Sequence, residues 1–196
     1  MIHRLVEELG NFKVRSYETI GDGNCFFHAI ANAFYIGYKN MEVDGVYMSR
    51  EDIVRHLRKE LADTLETIDP DTGISYYEQL ANGNAADLGQ TVEQYSLQGL
   101  KKHLNSNEPV GDVVITYVSY LLAKDIYILE RSTGDVYVMA DIPPGINTAV
   151  VILHSSGHYE TVGILEDDQW ITHFDSDHEF ILTVRRRLVS LKSGQA

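Results

Sequence analysis

The chain has 196 residues, 44% of them hydrophobic and 23% charged, with a formal net charge of −13. This is the composition of one globular domain rather than a disordered chain; no apolar run approaches the roughly 18 residues that a membrane span needs, and the negative charge works against nucleic acid binding. The single cysteine excludes an internal disulfide and favours a reducing, cytoplasmic compartment, and the first ten residues lack an apolar stretch of signal-peptide length, so secretion is not expected.

In chain order, Phe26, Phe27, Ile30 and Phe34 recur at helical spacing after Gly23-Asn24, which predicts a helix starting close to Cys25. The segment Tyr38 to Ser49 has no clear period. It is read as a surface connection, with a mobile loop over the site as the alternative. Ser49-Arg50-Glu51-Asp52 resembles a capping box and precedes Ile53, Leu57, Leu61 and Leu65 on one stripe, which predicts a long amphipathic helix. Two more helices are expected, over Thr91 to Leu104 and Gly111 to Lys124. Strands follow. Ile126 to Leu129 and Val136 to Met139 flank a Gly-containing turn and suggest a hairpin. Thr148 to Leu153 is β-branched and apolar, as a buried strand would be. Tyr159 to Ile164, Gln169 to Phe174 and Phe180 to Val184 are further candidate strands, and the last ten or so residues are expected to fray. The joints at Asp69-Pro70-Asp71-Thr72-Gly73, Asn82-Gly83-Asn84, Ser132-Thr133-Gly134-Asp135 and Pro143-Pro144-Gly145 are too short to be linkers. Helices first and strands second predict a single two-layered α+β domain over 1–196, its core at about 12–185.

A lone cysteine is more often buried filler than a nucleophile, but the surroundings of Cys25 point the other way. Gly21 and Gly23 bracket a tight turn that lets backbone approach a substrate. A helix N-terminus at Cys25 would favour thiolate over thiol, and its N–H groups could receive the oxyanion of acyl transfer. His158 follows the small Ser155-Ser156-Gly157 turn and opens an apolar strand. From there an imidazole could face the helix N-terminus and take the thiol proton. A third group should orient that ring. Glu160, two residues on and on the same strand face, is one candidate; Asp22, three residues before Cys25, is the other.

The run Gly21-Asp22-Gly23-Asn24-Cys25-Phe26-Phe27-His28-Ala29-Ile30 resembles the nucleophile motif of the ovarian-tumour (OTU) domain cysteine proteases, and His158-Tyr159 resembles that family's His-aromatic motif. The resemblance spans about Tyr17 to Ile164. It implies a papain-like OTU fold, with helices packed on a small, mostly antiparallel sheet. It also implies a deubiquitinase that hydrolyses the bond at the C-terminal glycine of ubiquitin or a ubiquitin-like modifier, with no metal or organic cofactor. Cys25 would be the nucleophile and His158 the base. Asp22 would either complete the triad or support the oxyanion loop, whose donors would come from the backbone of Asp22, Gly23, Asn24 and Cys25. Two positions depart from the pattern. Glu160 stands where the family usually has Asp or Asn, and Pro109-Val110-Gly111-Asp112 replaces a Trp-Gly-containing segment.

Other readings remain open at this stage. His154 and His158 are four apart, like two helical zinc ligands, but Ser155, Ser156 and Gly157 argue against a helix between them and no Glu follows His154. A module that binds ubiquitin without cutting it would have no need of both Cys25 and His158. A papain-like peptidase with a different substrate would keep the chemistry. The expected partners are ubiquitin, a ubiquitin-like modifier or polyubiquitin, met by a monomer without nucleic acid or membrane. A compact chain of this kind also suits a pathogen effector acting in a host cytosol.

Overall fold

The computed structural model describes residues 9–82, 95–139 and 147–187. These form seven helices and eight strands in an α+β arrangement. The first half holds β1 (Val14–Tyr17), α1 (Cys25–Phe34), α2 (Ile36–Asn40), β2 (Glu42–Val43), β3 (Val46–Tyr47) and α3 (Arg50–Thr64). Then come α4 (Tyr76–Asn82), α5 (Leu97–Leu104), α6 (Asp112–Leu122), β4 (Lys124–Glu130), β5 (Val136–Met139), β6 (Thr148–Ser155), β7 (His158–Glu166), β8 (Gln169–Ile171) and α7 (Glu179–Arg185).

The main sheet runs β1-β7-β6-β4-β5, with β8 also paired to β7. The β4–β6 pair is parallel and all others in this sheet are antiparallel, so the sheet is mostly antiparallel, as expected. Its two faces separate by the period-two alternation of strands. Ile126, Ile128, Val150 and Ile152 face a core built from α1, α3, α5 and α6. Tyr127, Leu129, Val151 and Leu153 face a second core closed by Leu9, Phe174 and the α7 residues Phe180, Ile181 and Val184. Cover on both faces explains why β6 reads as an unbroken apolar run.

Several element starts follow from side-chain caps. Ser49 accepts a hydrogen bond from the Asp52 N–H at 3.1 Å and opens α3. Ser96 does the same for α5 through the Gly99 N–H at 3.0 Å, which starts this helix later than Thr91; Thr91 itself, like the two Gly-containing joints near 83 and 145 and the final residues, lies outside the described residues. The expected strand Phe180–Val184 is instead the helix α7. His178 caps it by accepting from the Phe180 N–H at 3.1 Å, Glu179 favours its first turn, and Phe180, Ile181 and Val184 fall on one helical face. Gln169 to Phe174 is strand only to Ile171, beyond which Phe174 makes an isolated bridge to Ala149. The segment Tyr38–Ser49 holds the short β2–β3 hairpin, with Val46 and Tyr47 exposed. No helix among the described residues is long and apolar enough to cross a membrane.

Two links set up the site. The buried Thr161 of β7 donates to the Ala29 carbonyl of α1 at 2.8 Å and receives the Asn32 amide at 3.2 Å, so α1 is pinned to β7. β1 pairs with β7 from Val14↔Ile164 to Tyr17↔Thr161, which carries the chain toward the start of β7 just before the Gly21–Asn24 loop.

Candidate active site

Cys25 is the first residue of α1 and is 5% exposed. The loop before it is held from three directions. Gly23 has φ +86°, and a Cβ there would lie 2.0 Å from the Asn107 carbonyl oxygen, so no side chain fits. Asn24 is buried, and its amide serves the loop rather than capping the helix: its Nδ2 donates to Asp22 Oδ2 at 3.0 Å and Asn107 Oδ1 at 3.4 Å, while its Oδ1 accepts from Arg58 Nη1 at 2.8 Å. Asp22 also accepts the Asn24 N–H at 2.9 Å.

Behind this loop stand two groups that composition and spacing did not single out. Arg58, on the buried stripe of α3, is 2% exposed. It donates to the carbonyls of Leu104 at 2.9 Å, His103 at 2.7 Å and Glu108 at 3.2 Å, besides Asn24, and lies over the Phe27 ring. The carbonyls at the end of α5 are a favourable place for a cation, and burial lowers the guanidinium pKa to about 10. His28 is fully buried between Tyr38 Oη at 2.8 Å and Asp22 Oδ2 at 3.4 Å. An ionised carboxylate only accepts, so Nε2–H points at Asp22 and Nδ1 accepts from Tyr38. Burial pushes the His28 ring pKa down, against the opposing pull of Asp22. Burial also pushes the Asp22 carboxyl up, but the hydrogen bonds from Asn24 and His28 outweigh it and hold the pKa below the ordinary value.

The histidine arrives on a separate device. Ser156 (φ +52°) and Gly157 (φ +81°) join β6 to β7 in a two-residue turn whose left-handed residues match a type I′ hairpin. The Gly157 N–H donates to His154 Nε2 at 3.2 Å, and the opposite nitrogen of that ring bonds Glu130 Oε2 at 2.6 Å. His154 and His158 thus sit on the two strands of a hairpin, and among the described residues no three His, Cys, Asp or Glu side chains are grouped to hold a metal ion. Tyr159 packs edge-on against Phe26 behind the turn, and burial raises its phenol pKa to about 12.

The two devices meet at the first turn of α1. The Cys25 thiol donates to the Gly157 carbonyl oxygen at 3.9 Å, so the sulfur lies against the residue preceding His158. His158 Nε2 is 3.2 Å from Thr19 Oγ1, and the same hydroxyl donates to the Tyr159 carbonyl. Neither expected carboxylate bonds to His158. Glu160 instead pairs with Arg131 Nη2 at 3.3 Å, just past the end of β4. Asp22 is taken up by Asn24 and His28. The Asn24 N–H, expected among the oxyanion donors, is already committed to Asp22. Among the described residues, the N–H groups of Asp22, Gly23 and Cys25 have no such engagement. The sequence signal for Thr19 was slight: a small hydroxyl residue six positions before Cys25.

No family model and no curated protein matches the chain in sequence. Solved structures match its backbone. One is an ovarian-tumour (OTU) domain in complex with ubiquitin, at a TM-score of 0.54 and 14% identity over 89% of this chain and 81% of that one. Another is the OTU domain of OTUD1, at 0.54 and 15% identity over 82% and 93%. A third is the Hazara virus OTU bound to ubiquitin, at 0.51 and 17% identity over 81% and 85%. The chain has an OTU-like fold. Within the OTU-like fold, the sequence motif around Cys25 falls at the start of α1 and the His158 motif at the start of β7.

Proposed function

We propose that this chain is a deubiquitinase, a thiol hydrolase acting at the C-terminal glycine of ubiquitin or a ubiquitin-like modifier. The observation that carries the reading is the contact of the Cys25 thiol, at a helix N-terminus, with the Gly157 carbonyl adjoining His158. The ubiquitin held in the structures of the OTU domain and the Hazara virus OTU supports that choice of substrate class.

In this reading His158 takes the Cys25 proton through the ring nitrogen that Thr19 does not engage. The helix N-terminus and the new imidazolium then stabilise the thiolate. Sulfur attacks the glycine carbonyl, and the oxyanion is received by backbone N–H groups of the Asp22–Cys25 loop. Collapse gives a thioester and an amine that leaves with the proton from His158. Water, deprotonated by the same ring, hydrolyses the thioester. The Asp22–His28–Tyr38 chain and the Arg58–Asn24 bond keep the loop in shape before substrate arrives, which is where such electrostatic stabilisation gains its effect.

A ubiquitin C-terminal electrophile is the direct test. The expected result is a covalent adduct at Cys25, lost in Cys25→Ala. Tight binding without an adduct would support a ubiquitin-binding module instead. No binding and no adduct would mean that a peptidase of this chemistry acts on another substrate.

A further inference from the structure

The task of orienting His158 was expected to fall to a carboxylate, yet both candidates are occupied elsewhere, Glu160 by Arg131 and Asp22 by Asn24 and His28. Among the described residues, the side chain bonded to the His158 ring is that of Thr19. We infer that Thr19 is the positioning residue of the site, fixing both the plane and the tautomer of the His158 imidazole. This inference rests on the hydrolase reading for its kinetic consequence, though not for its structural one.

The direction of the hydrogen bonds carries the inference. A threonine hydroxyl has one proton to give. Thr19 gives it to the Tyr159 carbonyl, which can only accept. The lone pair facing His158 Nε2 therefore accepts, and Nε2 must carry the hydrogen. In a neutral ring that leaves Nδ1 unprotonated, the form a base needs to take a proton from Cys25. The carbonyl of Tyr159 thus sets the hydroxyl, and the hydroxyl sets the ring. Backbone geometry supports the arrangement. The β1–β7 register ends at Tyr17↔Thr161, and two further steps along each chain bring Thr19 beside Tyr159, next to the base. β-branching at Thr19 limits its χ1 choices, so the hydroxyl is held at little entropic cost.

A hydroxyl differs from a carboxylate in what it supplies. It selects the tautomer and holds the ring, but it brings no negative charge to stabilise the imidazolium, and neutral hydrogen bonds are about half as strong as charge-assisted ones. Loss of the Thr19 hydroxyl should therefore cost about 10- to 100-fold in kcat, at or below the low end of the roughly 100- to 10,000-fold contribution of a general acid or base and so well below the loss of the base itself.

The test has a kinetic and a spectroscopic arm. Ring 15N shifts of His158 at neutral pH, assigned against His158→Gln, should show the Nε2–H tautomer in the unaltered protein and a mixture in Thr19→Val. In hydrolysis of a fluorogenic ubiquitin C-terminal amide, Thr19→Val should lower kcat by about 10- to 100-fold with KM within twofold, Thr19→Ser should recover most of it, and Glu160→Gln should cost less than Thr19→Val. A predominant Nδ1–H tautomer in the unaltered protein would overturn the inference, and this reading does not depend on Thr19→Val folding. So would a Thr19→Val protein with unchanged tautomer and kcat. If the unaltered protein turns over no modifier at all, the hydrolase reading fails, and the ring shifts alone decide the role of Thr19.

Discussion

The loop before Cys25 and the turn before His158 each place one side chain of the candidate site, but they are built differently. The loop is a short stretch locked by side chains from far along the chain: Arg58 from α3, Asn107 from the segment after α5, and Tyr38 through His28. The turn is a hairpin whose shape comes from two left-handed residues and the pairing of β6 with β7, with His154 and Glu130 as its side-chain support. Buried polar bonds hold the loop's backbone N–H groups in fixed places, as the proposed reception of an oxyanion would require. The turn must hold one ring at one height, and strand pairing does that with little further help.

Substitutions can break this comparison at graded cost. Cys25→Ala should abolish turnover and adduct formation while leaving the thermal transition within a few degrees, because one small side chain is lost; a scan beside a ubiquitin cleavage assay checks both. The two left-handed glycines give the sharpest contrast. At Gly23 a methyl group would strike the Asn107 carbonyl, whereas at Gly157 it would meet nothing within 4 Å. Gly23→Ala should thus displace the oxyanion loop and cost at least about 100-fold in kcat/KM. Gly157→Ala should cost about 1 kcal/mol of stability and a smaller loss of rate, because backbone strain alone opposes it. Equal effects of the two in parallel kinetics and urea melts would mean that the loop is not locked as described.

Arg58→Met tests the lock from behind. It removes the donors to four carbonyl or amide oxygens while filling similar space, and should destabilise by about 2–4 kcal/mol in urea unfolding.

The smallest expected effect is on pH. His28 has its folded pKa below the ordinary 6.5, so the unfolded chain binds its proton more readily. The stability His28 contributes is present above about 6.5 and declines as pH falls from there toward the lowered folded value. His28→Gln should flatten the fall of Tm between pH 7 and pH 5; an unchanged slope would assign that fall to other groups.

Much of this was legible in advance. The helix at Cys25, the cap at Ser49, the β4–β5 hairpin and the buried β6 all declare themselves through periodicity and local chemistry, which need no knowledge of what packs against them. What escaped notice depends on tertiary partners. β1 is four residues with weak alternation and exists because β7 offers it an edge. Arg58 reads as a solvated helix cation until α5 ends beside it. The Phe180–Val184 segment is as apolar as a strand, and only its His178 cap and the face it covers make it a helix. Glu160 follows His158 at the spacing of an orienting acid, but its carboxylate pairs with Arg131, 29 positions upstream.

Thr19 and Cys25 lie on one uninterrupted stretch that leaves the edge strand β1, passes the His158 ring and enters α1. If that edge strand peels away, the Thr19 hold on the ring is lost, while the sulfur keeps its place through the Arg58, Asn107 and His28 bonds of the loop and the Thr161 link of α1 to β7. Local opening of β1 would therefore free the ring without displacing the sulfur, and slow amide exchange in Val14–Tyr17 would be a gauge of how large a fraction of molecules keeps the ring in place.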